Sequence, residues 1–186
     1  MTSSSERILD ELLARRCRRG DADAWRALVG RYEKRLLYFV RRLVDDERDA
    51  YDVLQQTWMS AVTGITTLAE PRALRTWLYR IARNEAINHL RRQGRRIEAI
   101  DSPALEAVAD DSIDDDEWSA EAAEQVHAAM RKLSLPHREV LTLHFLEDAS
   151  VEEIAAVLEV PPGTVKSRLH YARAALRGEL ERREVR

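Results

Sequence analysis

The chain has 186 residues, of which 45% are hydrophobic and 34% charged, with six glycines and five prolines. This composition suits a soluble helical protein and leaves little room for a turn-rich β fold. No apolar run approaches the ~20 residues that span a bilayer, residues 1–13 lack the apolar core of a signal peptide, and the single cysteine, Cys17, excludes an internal disulfide and a thiolate zinc cluster. We therefore expect a cytoplasmic protein.

The net charge of −3 hides a strong asymmetry along the chain. Residues 1–98 carry a net charge of +6, residues 99–127 hold ten acids and no base, and residues 128–186 are near neutral at +1. Such asymmetry favours a nucleic-acid partner at the basic end, with a repelling or tethering segment in the middle.

Four helices are predicted before the acidic middle. The first covers residues 5–19 and ends at Gly20. Asp21 is a residue type that commonly caps the start of a helix, here the second one. Apolar residues at steps of three and four predict amphipathic helices over residues 22–44 and 47–62, the second with Tyr51 and Val62 on its apolar side. A loop over residues 63–71 then leads to a fourth helix over residues 73–93.

The fourth helix is unusually basic. Eight arginines and a single acid, Glu85, lie between Arg72 and Arg96. A buried stripe is predicted at four apolar positions: Leu74, Trp77, Leu78 and Ile81. A polar line at helical steps runs beside it: Arg80, Asn84, Asn88, Arg91 and Arg95. One helix surface can thus offer guanidinium groups to phosphates and amides to base edges; the alternative is a solvated charged face, which usually mixes lysine with glutamate.

Residues 98–121 are predicted to form a flexible, solvated acidic linker. Its carboxylates either make a plain tether or imitate a nucleic-acid backbone in a basic channel. Two further helices, over residues 122–133 and 136–146, are expected to supply hydrophobic support for the segment that begins at Ser150.

The stretch from Ser150 to Arg173 is typical of a helix-turn-helix. Ser150 and Glu153 form a capping box, and residues 159–161 end the first helix before Pro162 opens the second. The second helix has a buried stripe of four apolar residues: Val165, Leu169, Ala172 and Leu176. Its opposite face is small and polar with basic flanks, as a helix entering a DNA major groove requires. The alternative is a helical hairpin with a solvated outer face.

The chain resembles the extracytoplasmic-function group of sigma-70 family RNA polymerase sigma factors. The resemblance depends on three segments taken together: WLYRIARNEAINHLRR, DAYDVLQQTW and EEIAAVLEVPPGTVKSRLHYAR. The resemblance implies an all-α protein of two small domains without a catalytic site. Region 2 would occupy residues 1–97 and bind core polymerase and the −10 promoter element. Region 4, residues 122–186, would carry the helix-turn-helix that binds the −35 element.

By position in the family, three sets of residues acquire expected roles. The −35 major groove would be contacted by Thr164, Lys166, Ser167, Arg168, His170, Tyr171 and Arg173. The melted −10 strand would be held by Leu68, Arg80, Asn84, Asn88, Arg91, Arg92 and Arg95, with Asn84 in a pocket for a flipped base. The clamp helices of the largest polymerase subunit would be gripped by Asp49, Tyr51, Asp52, Gln55 and Gln56.

The resemblance has one clear departure. Tyr51 and Gln56 stand where glutamates are common in the family, so the polymerase-binding surface is less acidic than usual. One hypothesis is that polymerase binding depends on modification or on another factor.

Other functions fit less of the sequence. A sigma mimic that sequesters an anti-sigma factor would lack the basic faces, and an ordinary helix-turn-helix repressor leaves the helix over residues 73–93 unexplained. An enzyme, a cofactor and a metal site are not expected, since the chain has no phosphate loop or nucleophile motif and its histidines are scattered. An anti-sigma factor as partner is an expectation from the family alone.

Overall fold

The computed structural model describes residues 4–94 and 126–184. Within these ranges the chain is helical, in two sets that we call the N-terminal domain (residues 4–94) and the C-terminal domain (residues 126–184). The predicted linker, the predicted bounds at residues 97, 98, 121 and 122, and Arg95 lie outside the described residues.

The N-terminal domain contains the four predicted helices. They are α1 (Ser4–Cys17), α2 (Ala22–Leu43), α3 (Glu47–Gly64) and α4 (Leu74–Arg92). The break predicted after α1 is present: Gly20 has a φ of +79°, and the Asp21 side chain accepts hydrogen bonds from the first turn of α2. Leu28, Leu36 and Phe39 of α2 lie at the centre of the core.

The segment predicted as a loop over residues 63–71 is mostly helical. Helix α3 continues to Gly64, and single 3-10 turns cover Ile65–Thr67 and Pro71–Ala73. Ile65 and Leu68 are buried, and a Cβ on Gly64 would lie 3.6 Å from the Trp77 ring. Burial of Ile65 and Leu68 in the core holds the segment close to the helices, which the short-range pattern did not indicate.

The C-terminal domain departs from the prediction at one element. Residues 126–130 are helical, and a helix was predicted over residues 136–146, but α5 (Leu135–Leu141) passes into a π-helical turn, Thr142–Leu146. The π turn ends where the Glu147 N–H donates to the carbonyl of Thr142. Apolar residues in this segment fit either helix type, so their periodicity cannot reveal the wider turn.

The predicted helix-turn-helix is present as α6 (Val151–Leu158) and α7 (Pro162–Glu184). Both hydrogen bonds of the capping box form, between Ser150 and Glu153, at 3.0 and 3.2 Å. Glu159 ends α6 in the left-handed region with a φ of +57°. Val165, Leu169 and Ala172 of α7 are buried, as predicted, and Leu176 is partly buried against the same core.

We predict that Ser150→Ala lowers the free energy of unfolding by about 1 kcal/mol, because the Glu153 N–H loses its partner at the start of α6. Ser134→Ala is the matched control, since Ser134 precedes α5 without a capping hydrogen bond from its side chain. Urea unfolding followed by far-UV circular dichroism measures both. Equal losses in the two variants would contradict a specific role for the cap.

Candidate nucleic-acid interface

Helix α4 separates an apolar side from a polar side. Trp77, Leu78 and Leu90 are buried, and Ile81 is partly buried against the core. Asn84 and Asn88 are exposed, as are Arg91 and Arg92, while Arg80 is half-buried. The polar line drawn from the sequence therefore lies on an accessible helix surface over the part that the structure describes.

Leu68 occupies a different position from the one its expected role suggests. Its side chain is only 3% exposed and packs in the hydrophobic core. The side chain thus anchors the turn between α3 and α4, and a direct contact from Leu68 to a base would require the turn to move.

The outer face of α7 is accessible at its centre. Lys166 and His170 are exposed, and Thr164, Ser167 and Tyr171 are half-buried. The Tyr171 ring lies edge-on to that of His170, with 5.4 Å between the centroids. This aromatic pair lies about one helical turn beyond the exposed, cationic Lys166.

The two arginines expected on α7 lie near other side chains of the C-terminal domain. Arg173 contacts the His144 ring at 3.2 Å and lies 5.3 Å above the ring of Phe145. Arg168 lies close enough to α5 for its charge to act on Glu139 and to lower, after burial, the pKa of His137. Both side chains are half-buried, so Lys166 is the more available cation for a phosphate.

Helix α3 presents a third surface. Tyr51, Asp52, Gln55 and Gln56 are exposed, while Asp49 is turned towards α4, 3.1 Å from His89 and 2.7 Å from Gln93. The prediction that Tyr51 and Val62 lie on the apolar side of this helix is wrong: they are 52% and 54% exposed. Helix α3 packs against α2 and α4, and its rotation about its own axis leaves these two positions exposed. Apolar character alone therefore misplaced them.

A groove of about 370 Å³ opens between α3 and α4. Its lining joins apolar and charged groups: Asp52, Gln56, Met59, Glu85, His89 and Arg92. Met59 is 57% exposed and was not singled out in the sequence. A shallow groove with an exposed thioether and flanking carboxylates is suited to a protein helix rather than to a small molecule.

The two domains meet through buried ion pairs that the sequence did not reveal. Arg83 of α4 donates to Glu139 of α5 at 2.7 Å. The carboxylate of Glu147 lies 2.9 Å from Arg35 of α2, and its backbone carbonyl accepts a hydrogen bond from Arg75 of α4. We call this surface, where α2 and α4 meet α5, the π turn and α6, the inter-domain contact.

Burial dominates the electrostatics of the inter-domain contact. It raises the pKa of Glu139 even though Arg83 opposes the shift, and it raises the pKa of Tyr79 together with the nearby charge of Glu147. Arginine remains charged throughout the accessible pH range. The contact thus holds guanidinium groups of the N-terminal domain against two buried carboxylates, Glu139 and Glu147.

The described residues hold no group of three histidine, cysteine or carboxylate side chains that could bind a metal ion. His137 is half-buried in α5, and His144 is engaged with Arg173. In the same ranges no helix is both long and apolar enough to cross a membrane.

Comparison with known proteins matches both domains. The family described as Sigma-70 region 2 matches residues 28–96, and Sigma-70 region 4 matches residues 123–176. The ECF RNA polymerase sigma-E factor of Escherichia coli is 36% identical, over 95% of this chain and 97% of its own length. The RNA polymerase sigma-H factor of Pseudomonas aeruginosa is 36% identical over 90% of this chain and 91% of its own.

Two solved structures are similar over most of the chain. CnrH, in complex with the cytosolic domain of CnrY, is 27% identical with a TM-score of 0.69, covering 93% of this chain and 97% of that one. The sigma factor RpoE of Bartonella quintana, in complex with the anti-sigma factor NepR, is 28% identical with a TM-score of 0.67, covering 84% and 96%.

Proposed function

The chain belongs to the extracytoplasmic-function group of sigma-70 family RNA polymerase sigma factors. From this premise we propose which of its surfaces binds the polymerase, which binds duplex DNA and which binds the melted strand. It is an alternative sigma factor, which binds core RNA polymerase and promoter DNA and directs transcription. The main support for this assignment is that the exposed Asn84 and the exposed Lys166 lie in different domains. One domain can therefore act on separated strands while the other holds the duplex.

We assign the −35 element to the outer face of α7. Lys166 offers a cation and a donor to phosphate or guanine, and Ser167, His170 and Tyr171 supply the groove-facing groups. Thr164, Arg168 and Arg173 are assigned to placement of the helix, since both arginines are half-buried and Arg173 contacts His144. His170 and Tyr171 favour a −35 sequence particular to this factor.

We assign the melted −10 strand to the polar side of α4. Extruding one base costs a few kcal/mol of stacking, so contacts in a pocket must replace it. Asn84 has the donor and acceptor groups to hydrogen-bond a flipped base, and Asn88 lies one turn further on. Arg80, Arg91, Arg92 and Arg95 would hold the strand through its phosphates, while Leu68 supports the pocket from the core.

We assign the polymerase clamp to α3 and the groove beside α4. Asp52, Gln55 and Gln56 line this groove together with Met59. Tyr51 extends the same helix face, and Asp49 contributes at its α4 edge. The protein would have no catalytic activity and no cofactor of its own, and it would work in the cytoplasm, where its polymerase acts.

An anti-sigma factor is proposed as a further partner. Its support is that the Bartonella relative was solved with an anti-sigma factor. A mimic that only sequesters an anti-sigma factor is the competing role. The exposed Asn84, Asn88 and Lys166 favour the initiation factor, because a mimic has no use for DNA-contacting groups.

The deciding experiment is transcription in vitro. We predict that the purified chain, added to bacterial core polymerase, starts transcription from a promoter selected from a random library with that holoenzyme. A chain that fails to select or to transcribe any promoter, while still binding an anti-sigma factor, would be a mimic.

We predict that Asn84→Ala and Lys166→Ala separate two steps. Asn84→Ala should reduce strand opening on the order of tenfold while duplex binding stays near the unmodified value, because its amide is assigned to a flipped base. Lys166→Ala should weaken −35 duplex binding by about 1–3 kcal/mol. Permanganate footprinting measures opening, and a gel shift of −35 duplex measures binding. Equal loss of both steps in the Asn84 variant would contradict its role.

We predict that Tyr51→Glu combined with Gln56→Glu tightens binding to core polymerase by about threefold, because two exposed charges are restored to the clamp surface. Ala27→Glu with Ala156→Glu adds the same charge at exposed positions elsewhere. Affinity for core polymerase is measured by competition with a labelled sigma factor. If the unmodified chain binds as tightly as the acidic variant, the hypothesis that modification controls binding is wrong.

A further inference from the structure

Three large apolar side chains on α1 are exposed and belong to none of the surfaces assigned above. Ile8 is 66% exposed, Leu9 is 42% exposed and Leu12 is 50% exposed. At 3.6 residues per turn, the three positions share an arc of about 100° on the helix. They form a contiguous apolar surface, which we call the α1 patch. Contiguous exposed apolar surfaces commonly mark a contact with another molecule.

The α1 patch is a fixed surface of the N-terminal domain. The opposite side of α1 packs in the hydrophobic core through Leu13 and Cys17. On that side the buried carboxylate of Asp10 accepts hydrogen bonds from the hydroxyl of Tyr32 at 2.6 Å and from the guanidinium of Arg31 at 2.8 Å. These contacts hold the rotation of α1 about its axis, so the patch faces outwards.

Charged residues border the α1 patch in a definite order along the helix. On the side of Leu9, Glu6 precedes the patch and Arg16 follows it. On the side of Ile8 the order is reversed, with Arg7 first and Glu11 after it. The side chains of Glu6 and Arg16 are each 44% exposed, so both can contact another molecule.

This order of charges is self-complementary. When two copies of a helix pack antiparallel about a two-fold axis, each edge of the helix faces the same edge of the other copy. With the axis midway between Ile8 and Leu12, Ile8 of one copy lies opposite Leu12 of the second copy. Arg16 then lies within about 3 Å, along the helix axis, of the level of Glu6 of the second copy. A parallel pair would set Glu6 beside Glu6 and Arg16 beside Arg16, so the charges favour the antiparallel arrangement.

We propose that the α1 patch binds a second copy of this chain, in an antiparallel pair of α1 helices related by a two-fold axis. Contact between Ile8 and Leu12 removes apolar surface from water and supplies the attraction. The charged edges fix the direction and the register of the two helices. The proposal does not depend on the assignments to DNA and polymerase, because it uses none of their residues.

The size of the α1 patch makes this association weak and reversible. A standard stable interface has about 20–30 residues on each side, whereas the patch offers three apolar side chains bordered by charges. We therefore expect a dissociation constant of about 10–100 µM. The chain is then a monomer at low concentration and a dimer at high concentration.

The first test measures self-association of the full chain by sedimentation equilibrium, from about 1 to 500 µM. The test variant combines Ile8→Ser with Leu12→Ser and should raise the dissociation constant at least about tenfold, because the central apolar contact is lost. The matched control combines Met59→Ser with Val62→Ser on α3, where the side chains are 57% and 54% exposed. The control should associate like the unmodified chain, and far-UV circular dichroism checks that both variants are folded.

The second test exchanges charges across the antiparallel pair. Glu6→Arg alone and Arg16→Glu alone each place like charges side by side in a dimer of identical chains, so each should associate about tenfold more weakly. An equimolar mixture of these two variants sets opposite charges together again at both positions. The mixture should therefore associate about as tightly as the unmodified chain.

Several outcomes would overturn the proposal. One is an unmodified chain that stays monomeric at the highest concentration, and a loss of affinity for core polymerase in the Ile8 and Leu12 variant would then assign the α1 patch to the polymerase. Another is equal self-association by the test and control variants. A mixture of the Glu6 and Arg16 variants that associates no better than either one alone would exclude the antiparallel pair.

Discussion

Most of the structure depends on helix α4, which packs in the N-terminal core and also contacts the C-terminal domain. Helix α4 buries Trp77, Leu78 and Leu90 in the N-terminal core while its other sides carry arginine and asparagine. Apolar burial fixes the rotation of the helix about its axis, and that rotation decides which polar groups reach solvent. Asn84 and Asn88 are exposed because the apolar stripe on the opposite side leaves them no other position.

The same rotation brings a second set of α4 side chains against the C-terminal domain. Arg75 and Arg83 would be ordinary surface cations if the domains were apart. In the contact Arg75 is buried beside Glu147, and Arg83 is half-buried and paired with Glu139. The π turn contributes, since it ends at Glu147 and directs that residue towards α2 and α4. The π turn of the C-terminal domain thus places a carboxylate against arginines of the N-terminal domain.

The arrangement relates three binding surfaces to one another. The residues that we assign to duplex DNA on α7 and to the polymerase clamp on α3 include exposed side chains, while Arg83, which precedes Asn84 on α4, is paired with Glu139. A sigma factor must use its surfaces in order, since a strand exists only after the duplex has been found and opened.

Much of this protein was determined by its sequence alone. Period and capping residues predicted α1, α2, α4, the capping box at Ser150 and the buried stripe of α7, because these features depend on neighbours within a few residues. Three sequence motifs, in their order along the chain, indicated the family and its function. Tertiary structure alone decided that Leu68 is buried, that Tyr51 and Val62 are exposed, and that the segment over residues 142–146 is a π turn. It also paired Arg83 with Glu139 and Arg35 with Glu147, which lie 56 and 112 residues apart in the chain. Such contacts are set by the packing of whole helices, and the sequence around a charged residue does not identify the distant residue with which it will pair.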